Sequence, residues 1–156
     1  MDADVENAAV AVSEELLERT GDAIASGDGD AFAACFLLPQ TIETPEGAAK
    51  LETKRDLLSI FENVRRYMRE RNVTLMERHC VGATWLSKDI VEATHVSRYL
   101  SGASLVQEPF LAISLLKRTP TGWKIADTKY DVSDSPGHLR ALTKWREATA
   151  LEADRV

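Results

Sequence analysis

The sequence predicts an α+β domain, with helices packed on a curved antiparallel sheet. Three observations carry this. Apolar residues recur at helical spacing up to about residue 70. From Val73 to Val132 the chain instead runs through stretches rich in β-branched and aromatic residues. The breaks between those stretches, SKD, SGAS and TPTG, are short enough for antiparallel hairpins.

In chain order, Val5, Ala9, Val12, Leu16 and Ala23 fall on one face of a helix from about Asp4 to Ser26. Gly27 supplies its stop. Asp30 is expected to cap a short helix carrying Phe32 and Phe36 and ending near Pro39. TIETPEGAAKLE has room only for small strands around a turn. Thr53-x-x-Asp56 is a capping-box pattern that opens a third helix. Its stripe is Leu57, Phe61, Val64 and Met68, with Ile60 and Tyr67 at the edge. Four strand stretches follow: VTLMERHCVGATWL, IVEATHVSRYL, LVQEPFLAISLL and WKIADTKYDV. Their length implies a strongly twisted sheet. Ser135-Pro136 begins a last helix over 136–153, with Leu139, Leu142 and Trp145 as its stripe. We therefore expect one domain over 1–135 with a helical extension over 136–156.

A chain of 156 residues, 44% apolar and 28% charged, can bury a real core as one domain. Its net charge of −6 argues against a nucleic-acid surface, which needs a basic footprint. The cluster Arg65, Arg66, Arg69 and Arg71 reads as a solvated helix end that complements the dipole. No run approaches the apolar length that spans a bilayer, so no membrane partner is expected. The acidic start MDADVENAAV is unlike a signal peptide, and Cys35 and Cys80 belong to no paired motif. A cytoplasmic protein with reduced thiols is the expectation.

AIASGDGDAFAACF, TIETPEG, EPFLAISLLKR and GWKIADTKYDV together resemble the nuclear-transport-factor-2-like superfamily. This is the cone fold shared by ketosteroid isomerases, scytalone dehydratases and SnoaL-like cyclases. The resemblance implies an internal cavity for a small organic molecule, a homodimer through the outer sheet face, and no cofactor. It covers most of residues 10–132. The isomerase chemistry does not carry over. Those enzymes place an aspartate base directly before the proline of TIETPEG, and Thr44 stands there. A threonine hydroxyl cannot shuttle a proton near neutrality. Their two oxyanion donors correspond to Thr20 and Leu111, and leucine donates nothing. Glu43, on the opposite side of a strand from Thr44, reads as a solvated carboxylate.

Matching HVSRYL and WKIADTKYD to the same fold sets Glu92, Thr94, Val96 and Arg98 on the cavity side of one strand, and Asp127 and Asp131 on that of another. Two readings follow. Arg98 and Asp127 hold a ligand, with Glu92 as acid or base, or Arg98 and Asp127 form a satisfied internal ion pair. The candidate catalytic residues are Glu92, Arg98 and Asp127, and the candidate ligand contacts are Tyr67, Thr94, Arg98, Leu111 and Asp127. His95 has the opposite parity, so it should point away from that cavity. Whether His79 shares its face depends on the hairpin at Leu86–Asp89. Trp123 and Ile125 read as core anchors, and Trp85 and Tyr99 as part of a two-fold interface on the outer face. No histidine, cysteine and carboxylate grouping has metal-ligand spacing.

These observations imply a small-molecule-binding protein or a cofactor-free acid–base enzyme of lyase, cyclase or isomerase type. The alternative is a dimeric interaction domain with a vestigial cavity.

Overall fold

A computed structural model describes residues 3–45 and 47–130. The expected helix over 136–153, the boundary at 135 and Asp131 lie outside the described residues. Helix α1 spans Ala3–Ser26. Its buried stripe is Ala9, Ser13, Leu16, Thr20 and Ala23, which is helical spacing with two hydroxyls in it. Thr20 Oγ1 donates to the Leu16 carbonyl at 2.8 Å, so its hydroxyl is not stranded. Val5, expected in the stripe, is exposed. Gly27 ends the helix at φ 78°, where a side chain would be strained, and its N–H donates to the Ala23 carbonyl.

Asp28, rather than Asp30, caps the short helix α2 (Gly29–Ala33) by accepting from the Ala31 N–H. Asp30 sits in its first turn and pairs with Lys54 at 2.9 Å. The chain then turns earlier than expected, and Phe36 opens strand β1 (Phe36–Thr44) instead of extending a helix. Pro39 falls between Phe36 and Thr41, where the pairing of β1 with its neighbour is irregular, so its missing N–H breaks no regular ladder. Strand β2 (Gly47–Leu51) returns antiparallel to β1, which makes TIETPEGAAKLE the expected hairpin. Helix α3 spans Lys54–Glu70 behind a complete Thr53/Asp56 capping box. It buries Leu57, Ile60, Phe61, Val64 and Tyr67.

The second half supplies β3 (Leu75–Ser87), β4 (Ile90–Ser101), the short β5 (Ser104–Leu105), β6 (Phe110–Thr119) and β7 (Gly122–Tyr130). The sheet order is β2-β1-β7-β6-β4-β3, with β5 paired to β4. β1 and β7 run parallel, and the other pairs are antiparallel. The result is the α+β cone that the sequence predicts, with the helices against one face of the curved sheet. Two irregularities matter for the site. An extra residue, Val81, lies between the pairs Cys80–His95 and Gly82–Thr94. Ala126 is likewise extra between Asp127–Leu115 and Ile125–Leu116. Each bulge reverses which residues face inward beyond it. Among the described residues, no helix is long and apolar enough to cross a membrane.

Candidate functional site inside the cone

A cavity of about 80 Å³ lies between the helices and the sheet. Its walls are mostly apolar, from Leu16 on α1 and Leu57, Ile60 and Val64 on α3 to Phe36, Phe110 and Ile125 on the strands. Into this surface the strands send a few polar groups. On β4 the buried set is Val91, Ala93, His95, Ser97 and Tyr99, and the last three line the cavity. Arg78 lies opposite Ser97 on β3, and Ser114 opposite Thr128 on β6 and β7. Gln40 enters from β1.

The inward parity of β4 is therefore opposite to the expected one. Glu92 is exposed, and Thr94, Val96 and Arg98 are half-buried on the outer face. Leu111 pairs with Val96 there and is 41% exposed, while its neighbours Phe110 and Ala112 are buried. Asp127 is exposed because the Ala126 bulge turns it outward and Thr128 and Tyr130 inward. Asp127 Oδ1 accepts from the Thr41 N–H instead of pairing with Arg98. None of Glu92, Thr94, Arg98, Leu111 and Asp127 lines the cavity, and the structure does not bring Arg98 and Asp127 together. Tyr67 is buried beside Tyr99, ring centroids 6.4 Å apart, with its hydroxyl donating to Gln107 Oε1 at 2.6 Å.

The interface residues also move. Tyr99 is 4% exposed and points into the cavity. Trp85 packs edge-on against Trp123 at 5.8 Å, with its indole N–H donating to the Val5 carbonyl on α1. Trp123 and Ile125 pack against the core as expected. His79 pairs with Val96 on the outer face, so it and His95 lie on opposite faces. Glu43 is an exposed carboxylate in register with Lys129.

A physical signal for the true parity existed in β4. Of its two alternating sets, one carries Glu92 and Arg98 and the other carries no formal charge besides neutral histidine. Desolvating two charges costs several kcal/mol unless they pair well, so the uncharged set belongs inside. No comparable signal announces the bulges at Val81 and Ala126.

Arg78 dominates the electrostatics. Its Nη2 donates to the Leu17 carbonyl and to Thr20 Oγ1, both at 2.7 Å. It lines the cavity on one side and an open groove between α1 and α3 on the other, so the residue is half-buried although its charge is desolvated. Burial lowers its pKa from the usual arginine value. No carboxylate pairs with it among the described residues. His95, nearby, is pushed down to about 3 by burial first and by Arg78 second, which keeps its imidazole neutral. Burial raises the Tyr99 and Tyr130 phenols, which stay protonated. Among the described residues, no group of histidine, cysteine, aspartate and glutamate could hold a metal ion.

A helix-covered sheet curled around such a cavity defines a cystatin-like cone. The chain belongs to the family described as NTF2-like protein (DUF6841), whose model matches residues 11–130. It is similar in structure to an NTF2-like protein of unknown function from Shewanella oneidensis MR-1, with TM-score 0.63 and 11% identity over 78% of this chain and 98% of that one. A domain of unknown function with a cystatin-like fold from Nostoc punctiforme PCC 73102 gives TM-score 0.62 and 16% identity over 95% and 91%. A ketosteroid isomerase-like protein from Erwinia carotovora atroseptica SCRI1043 gives TM-score 0.55 and 20% identity over 78% and 94%. These likenesses concern the fold. A search of curated proteins finds no match to the chain.

Proposed function

We propose that the domain binds a small organic anion inside the cone, with Arg78 as its counter-charge. One observation carries this reading: a desolvated guanidinium faces an apolar cavity with no carboxylate partner among the described residues. Of its five N–H donors, the two on Nη2 are used, and those on Nε and Nη1 make no bond among the described residues. A ligand carboxylate or enolate would supply the missing charge and acceptors, in a charge-assisted geometry stronger than a neutral hydrogen bond. This keeps the small-molecule role implied by the resemblance and moves it from Arg98 and Asp127 to the inward strand positions.

The same geometry favours binding over acid–base catalysis. Among the described residues lining the cavity, His95 is the one conventional proton acceptor, and a base with a pKa of about 3 gives little driving force near neutrality. If the family's cyclase or lyase type of chemistry occurs here, Arg78 is placed to hold developing negative charge and His95 to move the proton. Titration calorimetry with benzoate and with neutral benzamide tests the reading. Benzoate should bind and benzamide should not, and Arg78→Met should abolish the difference. Equal binding of both by the wild-type chain would end it.

A second copy of the chain is the proposed partner of the outer sheet face. Leu111 and Ile113 are 41% and 39% exposed there, beside Val96 on the adjacent strand. Such a stripe is more easily explained by self-association than by solvent.

A further inference from the structure

The cavity holds a second unfulfilled polar group, on the strand at the far side of the sheet from Arg78. Gln40 is 2% exposed and lines the cavity. Its Nε2 donates to the Leu37 carbonyl at 3.1 Å and to the Ile125 carbonyl at 3.2 Å. Two backbone acceptors fix the amide orientation, because turning it over would set its oxygen against both carbonyls. The Oε1 atom is therefore committed to the other side, and it is buried without a hydrogen-bond donor. Leaving a buried acceptor unsatisfied is costly, and native proteins rarely do so without a ligand or water in reach.

Arg78 and Gln40 make opposite demands. The guanidinium needs an anionic acceptor, and the amide oxygen needs a donor. They stand on β3 and β1, with β7, β6 and β4 between them in the sheet order, and only the curl of the sheet brings both to one cavity. Phe36, Ile60 and Phe110 give the cavity an apolar, aromatic surface, into which the intervening strands also send His95, Ser97, Ser114 and Thr128.

Resting on the anion-binding reading above, we propose that the cavity selects hydroxy acids with a flat apolar body. The carboxylate pairs with Arg78, and a hydroxyl or N–H at the opposite end donates to Gln40 Oε1. A neutral alcohol leaves the charge unmet. A simple aromatic acid leaves the amide oxygen unmet. Discrimination of this kind is strong because the penalty falls on groups the protein has already buried.

The test is calorimetric binding of matched pairs to the wild-type chain. The pairs are 3-hydroxybenzoate against benzoate, and 4-hydroxybenzoate against benzoate, which offer a shorter and a longer span. In at least one pair the hydroxy acid should bind about tenfold tighter. Its methyl ether, which cannot donate, should lose that gain. Gln40→Met should erase the preference while binding still depends on Arg78. If that variant fails to fold, the ether comparison on wild type decides alone. Equal affinities within both pairs, with binding still lost in Arg78→Met, would overturn the donor assignment and leave the anion reading standing, a water then filling the place at Oε1. A preference that survives Gln40→Met would move the hydroxyl to the Ser114–Thr128 pair and overturn the role of Gln40. No binding of any of these acids would overturn both.

Discussion

Arg78 and Thr20 are joined across the seam between β3 and α1, the arginine Nη2 donating to the threonine Oγ1 at 2.7 Å. The link ties the cavity's charge to α1, the longest helix among the described residues. It also explains why a hydroxyl sits on that helix's buried stripe.

Arg78→Met should abolish anion binding without lowering the stability of the ligand-free protein. The substitution removes a desolvated charge, and replacing such a charge by an apolar group of similar length is commonly neutral or stabilising. The groups it releases are cheap to leave, since Thr20 also bonds Leu16. Urea denaturation should give a free energy within about 1 kcal/mol of wild type, or above it. A loss of several kcal/mol would show that the link to α1 is structural.

Gly21→Ala should separate stability from binding. A Cβ there would stand 3.3 Å from Arg78 Nη2, closer than an ordinary contact. Alanine favours the helix by about 1 kcal/mol, and the flexible arginine can yield by a few tenths of an ångström. The melting temperature should rise while benzoate affinity falls. Unchanged affinity would show that the guanidinium position is not critical.

The acid limb of stability should depend on His95. Its folded pKa of about 3 lies below the ordinary value of 6.5, so between those values the unfolded chain holds the extra proton. Stability is therefore intact above about pH 6.5 and falls as the pH drops toward 3. His95→Asn should flatten that part of the profile, measured by urea midpoints across the range. Parallel profiles for the two proteins would argue that the imidazole is solvated.

Leu111→Asp should weaken self-association with little cost to folding, because the side chain lies on the outer face. Light scattering at low micromolar concentration should show a dimer for wild type and a monomer for the variant. Tyr99→Asp is the contrasting control. It buries a charge in the cavity and should unfold the domain. A wild-type monomer at every accessible concentration would remove the proposal.

The sequence by itself determined the order of the elements over the described residues and the α+β class, though not that Phe36 opens a strand. Periodicity, the Thr53/Asp56 capping box, Gly27 and the short hairpin breaks are local signals, and local physics decides them. On β4 the charges of Glu92 and Arg98 marked the outer face, but only the tertiary structure decided which side of β3 and β7 faces the cavity. A strand's two faces differ by one residue of register, and the extra residues Val81 and Ala126 reverse the count partway along β3 and β7. That is why Asp127 faces outward and Thr128 and Arg78 inward, whereas β4 alternates without a bulge and simply turns His95 in and Arg98 out. Gln40 and Arg78 stand 38 positions apart in the chain and on separated strands, so no spacing rule could have joined them. The curl of the sheet joins them, and it is a property of all its pairings at once.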